Sequence, residues 1–319
     1  MRSIIVPLDG SELSEQVIPL AHALTVAIHG ELTLAQVVLE PWLASTPKDV
    51  PALPALMEQA AKYHLDNLAL PLGAGVVETL VLRGDPVDQL LALALERQPA
   101  LFVMSTHGHG GLGRLLMGSV ADKVMRGSPV PVLLVRGTAR LPVTLERLLV
   151  ALDGSTVAER ALPLVVELAQ ATGASVRLVR VVMPFVNSLA ALAPETIFLR
   201  QAQFDEIDEQ SLAEARDYLE RIAAPLREQG IRVECHVRYG TTRDELLLAA
   251  EQAEYAADLI VATTHGWGGL RRWAIGSVVT ELVQRAPCPV LVVPSAGLAA
   301  ETADLDARAA GEDVPTSWL

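Results

Sequence analysis

Ile4–Leu8 is an unbroken apolar run that stops at Asp9. A run of that length reads as a parallel strand covered on both faces. Asp9-Gly10-Ser11 then forms a turn, with Ser11 as helix N-cap and Glu12 and Glu15 in the favoured first turn. Leu13, Val17, Leu20, Leu24 and Ile28 recur at helical spacing. Further apolar runs predict strands at 32–38, 76–82, 101–105 and 132–135. Strands separated by helices imply right-handed crossovers and a parallel, doubly wound sheet.

The pattern then repeats. "IIVPLDGSELSEQVIPLAHAL" from Ile4 matches "LLVALDGSTVAERALPLVVEL" from Leu148, an offset of 144 that pairs Asp9 with Asp153 and Pro19 with Pro163. "STHGHGGLGRLLMGSV" from Ser105 matches "TTHGWGGLRRWAIGSV" from Thr263, and "SPVPVLLV" from Ser128 matches "APCPVLVV" from Ala286, both at 158. Gly84 and Gly240 differ by 156, so 12 of the 14 extra residues enter between the second strand and Gly240. The expectation is one fold twice, at 1–140 and 141–297, followed by an acidic flexible tail at 298–319. In the second copy Thr156 and Glu159 have capping-box spacing, ahead of Ala161, Val165 and Leu168. Pro19 and Pro163 are expected to kink their helices.

Composition narrows the function. The chain has 319 residues, enough for two domains, each with its own core. Its net charge of −13 disfavours nucleic-acid binding by phosphate neutralisation. Two cysteines, Cys235 and Cys288, exclude a disulfide framework and a four-cysteine zinc site; both read as small core residues. Ile4–Leu8 is too short for a signal-peptide core. The most hydrophobic long window, 181–199, contains Pro184, Asn187, Pro194 and Glu195, so it reads as a helix packed on the partner lobe, without membrane insertion. The expected compartment is the cytoplasm.

In a doubly wound sheet a ligand binds beyond the carboxyl ends of the strands, where the strand order reverses. Two segments of each copy reach that crevice. The first is the turn with Asp9 or Asp153, whose carboxylate accepts donors from an adenine or ribose. The second is a glycine loop with the spacing Gly108-x9-Gly118-Ser119, repeated as Gly266-x9-Gly276-Ser277. Gly108 and Gly266 allow close approach of backbone amides, and the Gly-Ser pairs open helices whose N-termini suit a phosphate. Read without a ligand, Asp-Gly-Ser is ordinary turn and cap chemistry and the glycines make tight turns.

The order and duplication of "VPLDGS" and "VALDGS", the G-x9-G-S loops, and the terminal "PVPVLLV" and "PCPVLVV" strands resemble two tandem universal stress protein domains over roughly residues 1–295. That resemblance implies two tandem five-stranded sheets of the Rossmann-like, adenine nucleotide alpha hydrolase-like type, packed as a pseudo-dimer through their terminal strands. In one subgroup it also implies ATP, with or without Mg2+. Asp9 and Asp153 would then face adenine, and backbone at Val37 and Val181 would contact the base. Gly108, Gly118, Ser119 and Val120 would hold phosphates, as would Gly266, Gly276, Ser277 and Val278. The subgroup's loop begins with a glycine where this chain has Ser105 and Thr263.

Other motifs yield less. Gly108-x-Gly110-x-x-Gly113 follows the fourth strand rather than the first, and the second copy has Arg271 at its last position, so it is a chance dinucleotide match. No P-loop is present. His107, His109 and His265 lack companion ligands, and His109 aligns with Trp267. Arg114, Arg271 and Arg272 are surface cations or phosphate contacts, while Trp273 and Phe185 read as packing residues. Without a nucleophile–base pair, a dedicated enzyme is not expected, and any ATP cleavage would be slow. The expectation is a cytoplasmic, ATP-binding stress-response protein whose tandem chains can associate as a homo-dimer. Its rivals are a nucleotide-free interaction module and an adenylate-forming relative of the same fold.

Overall fold

The structure is a computed structural model that describes residues 3–39, 53–73, 77–106, 117–185, 201–252, 255–264 and 276–295. The first repeat contributes strands β1 (Ser3–Leu8), β2 (Glu31–Val38), β3 (Val77–Arg83), β4 (Leu101–Ser105) and β5 (Val132–Val135). The second contributes β6 (Arg147–Ala151), β7 (Ser175–Val182), β8 (Val233–Tyr239), β9 (Leu259–Thr263) and β10 (Val290–Val293). Helices α1 (Glu12–Glu15), α2 (Ile18–Ala27), α3 (Leu53–Ala69), α4 (Pro86–Arg97) and α5 (Ser119–Gly127) belong to lobe 1. Lobe 2 has a 3-10 turn at Ala158–Ala161, then α6 (Leu162–Thr172), α7 (Gln201–Glu228), α8 (Thr242–Glu251) and α9 (Ser277–Arg285).

The two expected five-stranded sheets are one ten-stranded sheet, ordered β3-β2-β1-β4-β5-β10-β9-β6-β7-β8. Each half is parallel, and the halves join where β10 runs antiparallel to β5, pairing Val290 with Leu134, Leu291 with Leu133 and Val292 with Val132. Terminal edges that would each be open are thereby closed against one another. Apolar runs such as Ile4, Ile5 and Val6 are wholly buried because helices cover both faces. One face packs Ile4, Val6 and Leu34 under α2 and α3, and continues into lobe 2 through Val165, Leu219 and Leu226 of α6 and α7. The other packs Ile5 and Phe102 under α4 and α5, and Ile260 and Val292 under α8 and α9.

The connection between the lobes is fastened by arginines. Arg136 donates to the Ala286 carbonyl at 3.1 Å, and Arg140 to the Ala257 carbonyl at 2.8 Å and to Asp258 at 3.1 Å. Buried Asp258 also accepts the Glu146 and Arg147 backbone amides, each at 3.0 Å.

Pro19 and Pro163 do not kink helices. Each lies in the first turn of a new helix, α2 or α6, where a missing N–H has no helical acceptor to lose and the fixed φ suits the start. The predicted single helices are therefore broken, and Leu13, on the separate turn α1, is 39% exposed. Thr156 is not a cap: Ser155, the counterpart of Ser11, accepts the Ala158 amide at 3.1 Å. Phe185 packs against Phe204 with ring centroids 5.7 Å apart. Cys288 is buried and Cys235 half-buried. Of the apolar window 181–199, Val181 and Val182 end β7; residues 186–200 lie outside the described residues.

Candidate functional site

The strand order reverses between β1 and β4 in lobe 1, and between β6 and β9 in lobe 2. Both halves read 3-2-1-4-5 in their own numbering, which places a crevice beyond the carboxyl ends of those two strands. At the end of β1 the chain turns through Gly10 at φ 79°, and at the end of β6 through Gly154 at φ 89°, a conformation that favours glycine. The Asp9 Oδ1 accepts the Ser11 amide at 3.0 Å and the Ser11 hydroxyl at 2.6 Å. Ser11 Oγ in turn accepts the Ser14 amide at 3.2 Å, as the N-cap of α1. Asp153 repeats this with Ser155 at 2.9 and 2.6 Å. The Asp-Gly-Ser segments are thus turns and caps, and they also hold two exposed carboxylates at fixed positions on the crevice rim.

Across the crevice, the Gly118 amide donates to the Thr106 carbonyl at 2.7 Å, and the Gly276 amide to the Thr264 carbonyl at 2.9 Å. Those two amides are therefore engaged. The helices that begin there, α5 and α9, differ from α1 and α4, whose first amides are capped by Ser11 and Asp85. The N-caps of α5 and α9 are Gly118 and Gly276, which have no side chain to offer. No described residue accepts from the amides of Ser119, Val120 and Ala121, or of Ser277, Val278 and Val279. Each first turn presents N–H groups and the positive end of the helix dipole. Gly118 (φ −60°) and Gly276 (φ −57°) adopt backbone conformations open to any residue. Among described atoms, a Cβ on Gly276 would come only within 3.6 Å of the Thr264 carbonyl, an ordinary contact. Neither strain nor that packing demands glycine at Gly276, whereas close approach by a ligand would.

The Ser119 and Ser277 hydroxyls are exposed in the first turns and make no hydrogen bond to a described residue. Val37 and Val181 line the face shared with α5 and α9. Strand β1 ends at Leu8 opposite Gln36, and β6 at Ala151 opposite Val179, so Val37 and Val181 extend beyond the central strand. Ser105 and Thr263 end β4 and β9, and both are buried. Gly108 and Gly266 lie outside the described residues, as do His107, His109, His265, Arg114, Arg271, Arg272, Trp267 and Trp273. Among the described residues, no group of three or more His, Cys, Asp or Glu side chains is placed to hold a metal ion.

Lobe 2 has a feature that motif reading passed over. The Arg180 guanidinium lies 3.0–3.2 Å from where a Cβ on Gly154 would stand, directly against the Asp153 turn. Its carbon is 5.0 Å from the centre of the Tyr218 ring. Burial, with the nearby Glu159 and Asp153 carboxylates, pushes the Tyr218 hydroxyl well above the usual tyrosine range, against the pull of Arg180. The repeat offset of 144 puts Gln36 at the place of Arg180 and Glu15 at that of Glu159, and in lobe 1 His64 Nε2 meets Glu15 Oε1 at 3.0 Å. Aligning the repeats residue by residue exposes this difference.

A doubly wound sheet with a helix N-terminus facing an acidic turn at each switch point defines a tandem Rossmann-like protein. Within that class, the model described as the universal stress protein family matches residues 1–136 and again residues 144–294. The chain belongs to the universal stress protein family and carries two of its domains in tandem. It is 34% identical over 137 residues to the universal stress protein in the QAH/OAS sulfhydrylase 3' region of Thermus aquaticus, covering 42% of this chain and 98% of that protein. A universal stress protein of Mycolicibacterium smegmatis is 27% identical over 243 residues, covering 74% of this chain and 75% of the relative. The crystal structure of a universal stress protein from Archaeoglobus fulgidus superposes with a TM-score of 0.65 at 22% identity, covering 92% of this chain and 98% of the other, a likeness of fold. Among the described residues no helix is long and apolar enough to cross a membrane.

Proposed function

We propose that the chain binds ATP in one or both crevices and acts, without dedicated catalysis, as a cytoplasmic stress-response protein that signals by occupancy. The observation that carries this reading is the pair of side-chain-free helix starts at Gly118 and Gly276, each facing an anchored Asp across a switch point. Asp9 and Asp153 take donors from adenine or ribose, and backbone at Val37 and Val181 meets the base. The amides and hydroxyls of Ser119 and Ser277, the amides of Val120 and Val278, and the loops at Gly108 and Gly266 take the phosphates. Gly118 and Gly276 contribute bare Cα positions, because their own amides are engaged. Mg2+, if carried in, would ride on the phosphates. Domain limits at 1–140 and 141–297 go with this reading.

Calorimetry of the purified chain with ATP tests it. The expected result is saturable heat with one or two sites per chain; no heat and no copurified nucleotide rejects binding. A nucleotide-free interaction module is the second reading, favoured by buried Ser105 and Thr263 where the ATP-binding subgroup resembled by this sequence has glycine. The double variant Gly118→Val/Gly276→Val separates the two. Lost ATP affinity in a folded protein supports the first reading, and a parent with no affinity to lose supports the second.

A further inference from the structure

Strands β6, β7 and β8 begin at Arg147, Ser175 and Val233, and Tyr255 precedes β9. Between these amino-terminal ends lies a cavity of about 370 Å³, at the other end of the lobe 2 strands from the crevice described above. That volume is in the range of small-molecule sites, roughly 300–1,000 Å³. Three arginines line it, Arg147, Arg177 and Arg232, together with Glu146, Glu234 and Tyr255. The wall therefore carries one more positive than negative charge, in a chain whose net charge is −13.

The arginines are held in place. The Arg177 side chain is 11% exposed, its guanidinium lies 4.6 Å from the centre of the Tyr255 ring, and it donates to the Tyr255 carbonyl at 3.3 Å and to Glu234 at 3.2 Å. Arg232 donates to the Gly173 carbonyl at 3.2 Å. Arg147 reaches Asp258 at 3.6 Å through one terminal nitrogen, while its Nε is buried with no acceptor among the described residues. A buried donor left unmatched is costly, so a ligand oxygen that reached it would be favoured. Guanidinium groups already fixed by stacking and hydrogen bonds lose little freedom when an oxyanion arrives.

The repeat shows that the fold does not impose this pocket. Register pairs Thr33 with Glu78 in lobe 1 where lobe 2 pairs Arg177 with Glu234. The Ala100 amide donates to the Ser3 carbonyl just as Asp258 donates to Arg147, so Ser3 stands where Arg147 does. The offset of 158 puts Arg97 at the place of Tyr255. There Arg97 is taken by Glu78 through two hydrogen bonds, and Thr33 adds a third at 3.1 Å.

We infer that this pocket binds a small hydroxylated oxyanion, with its anionic group on Arg147 and the neighbouring arginines and its hydroxyls on Glu146 and Glu234. The site is independent of the nucleotide reading. Full-length protein labelled with nitrogen-15 tests it, the Arg Nε resonances being assigned with the single variants Arg147→Gln, Arg177→Gln and Arg232→Gln. The probes are glycerol 3-phosphate, glycerate and, as uncharged control, glycerol. Saturable movement of the Arg147 Nε signal with either anion, and none with glycerol, supports the site; which anion acts distinguishes phosphate ester from carboxylate. Arg147→Gln should weaken binding about tenfold, read on the Arg177 signal. Exposed Arg232→Gln serves the same purpose if the first variant does not fold. No saturable movement with either anion, equal movement with glycerol, or undiminished affinity in folded variants overturns the inference.

Discussion

Asp258 gathers two backbone amides and two arginine side chains at a position where its carboxylate is almost wholly out of water. Removing it would leave two part-buried backbone amides and two partly exposed arginines without their acceptor, so Asp258→Ala should cost about 1–3 kcal/mol in denaturant unfolding. The sequence gives little sign of this role, because the repeat aligns Asp258 with Ala100 and no motif marks a lone acid before an apolar run. The Asp9 and Asp153 turns were legible for the opposite reason: their hydrogen bonds are local and are written in adjacent residues. Tyr239 donates to Asp208, which raises its hydroxyl to about 12. A raised folded-state value favours the protonated native form. Its contribution is therefore complete below about pH 10, the unfolded tyrosine value, and is lost as pH climbs toward 12. Tyr239→Phe should remove that part of the alkaline loss of stability. Burial raises the Cys288 thiol to about 12, so it should resist aromatic disulfide reagents at neutral pH until the chain is unfolded.

Among the elements, the strands were the most legible. The runs predicted at 101–105 and 132–135 coincide with β4 and β5, because a strand buried on both faces must be apolar along its whole length. Helix starts were less legible. The spacing from Leu13 to Ile28 matched one helix, yet a proline suits a first turn as well as it damages a middle one, and periodicity does not distinguish the two. Pro19→Ala and Pro163→Ala should accordingly change stability by less than about 1 kcal/mol, as thermal unfolding would register, rather than relieving a kink. The apolar spacing also carries no trace of the bare starts of α5 and α9; the doubled glycine spacing carried that information.

For the whole molecule, the seam between β5 and β10 turns two repeats into one body. Leu133 and Leu291 face each other there, both fully buried. Leu133→Ala and Leu291→Ala should each cost about 2–5 kcal/mol. Their double-mutant cycle should show coupling of roughly 0.5–3 kcal/mol, because they are neighbours across the seam. The tandem order could be read from the repeat, whereas the pairing of the terminal strands was implied by the family resemblance, because the repeat itself carries no sign of which distant segments meet. The antiparallel seam has a geometric corollary: the carboxyl rim of one half continues as the amino rim of the other. The two switch points therefore open on opposite margins of the sheet, and lobe 1's crevice shares its margin with lobe 2's arginine-lined hollow. A rigid flat partner docking on one margin would meet two unlike stations, never two equivalent ones, so the duplicated chain has two chemically distinct sides despite its internal symmetry.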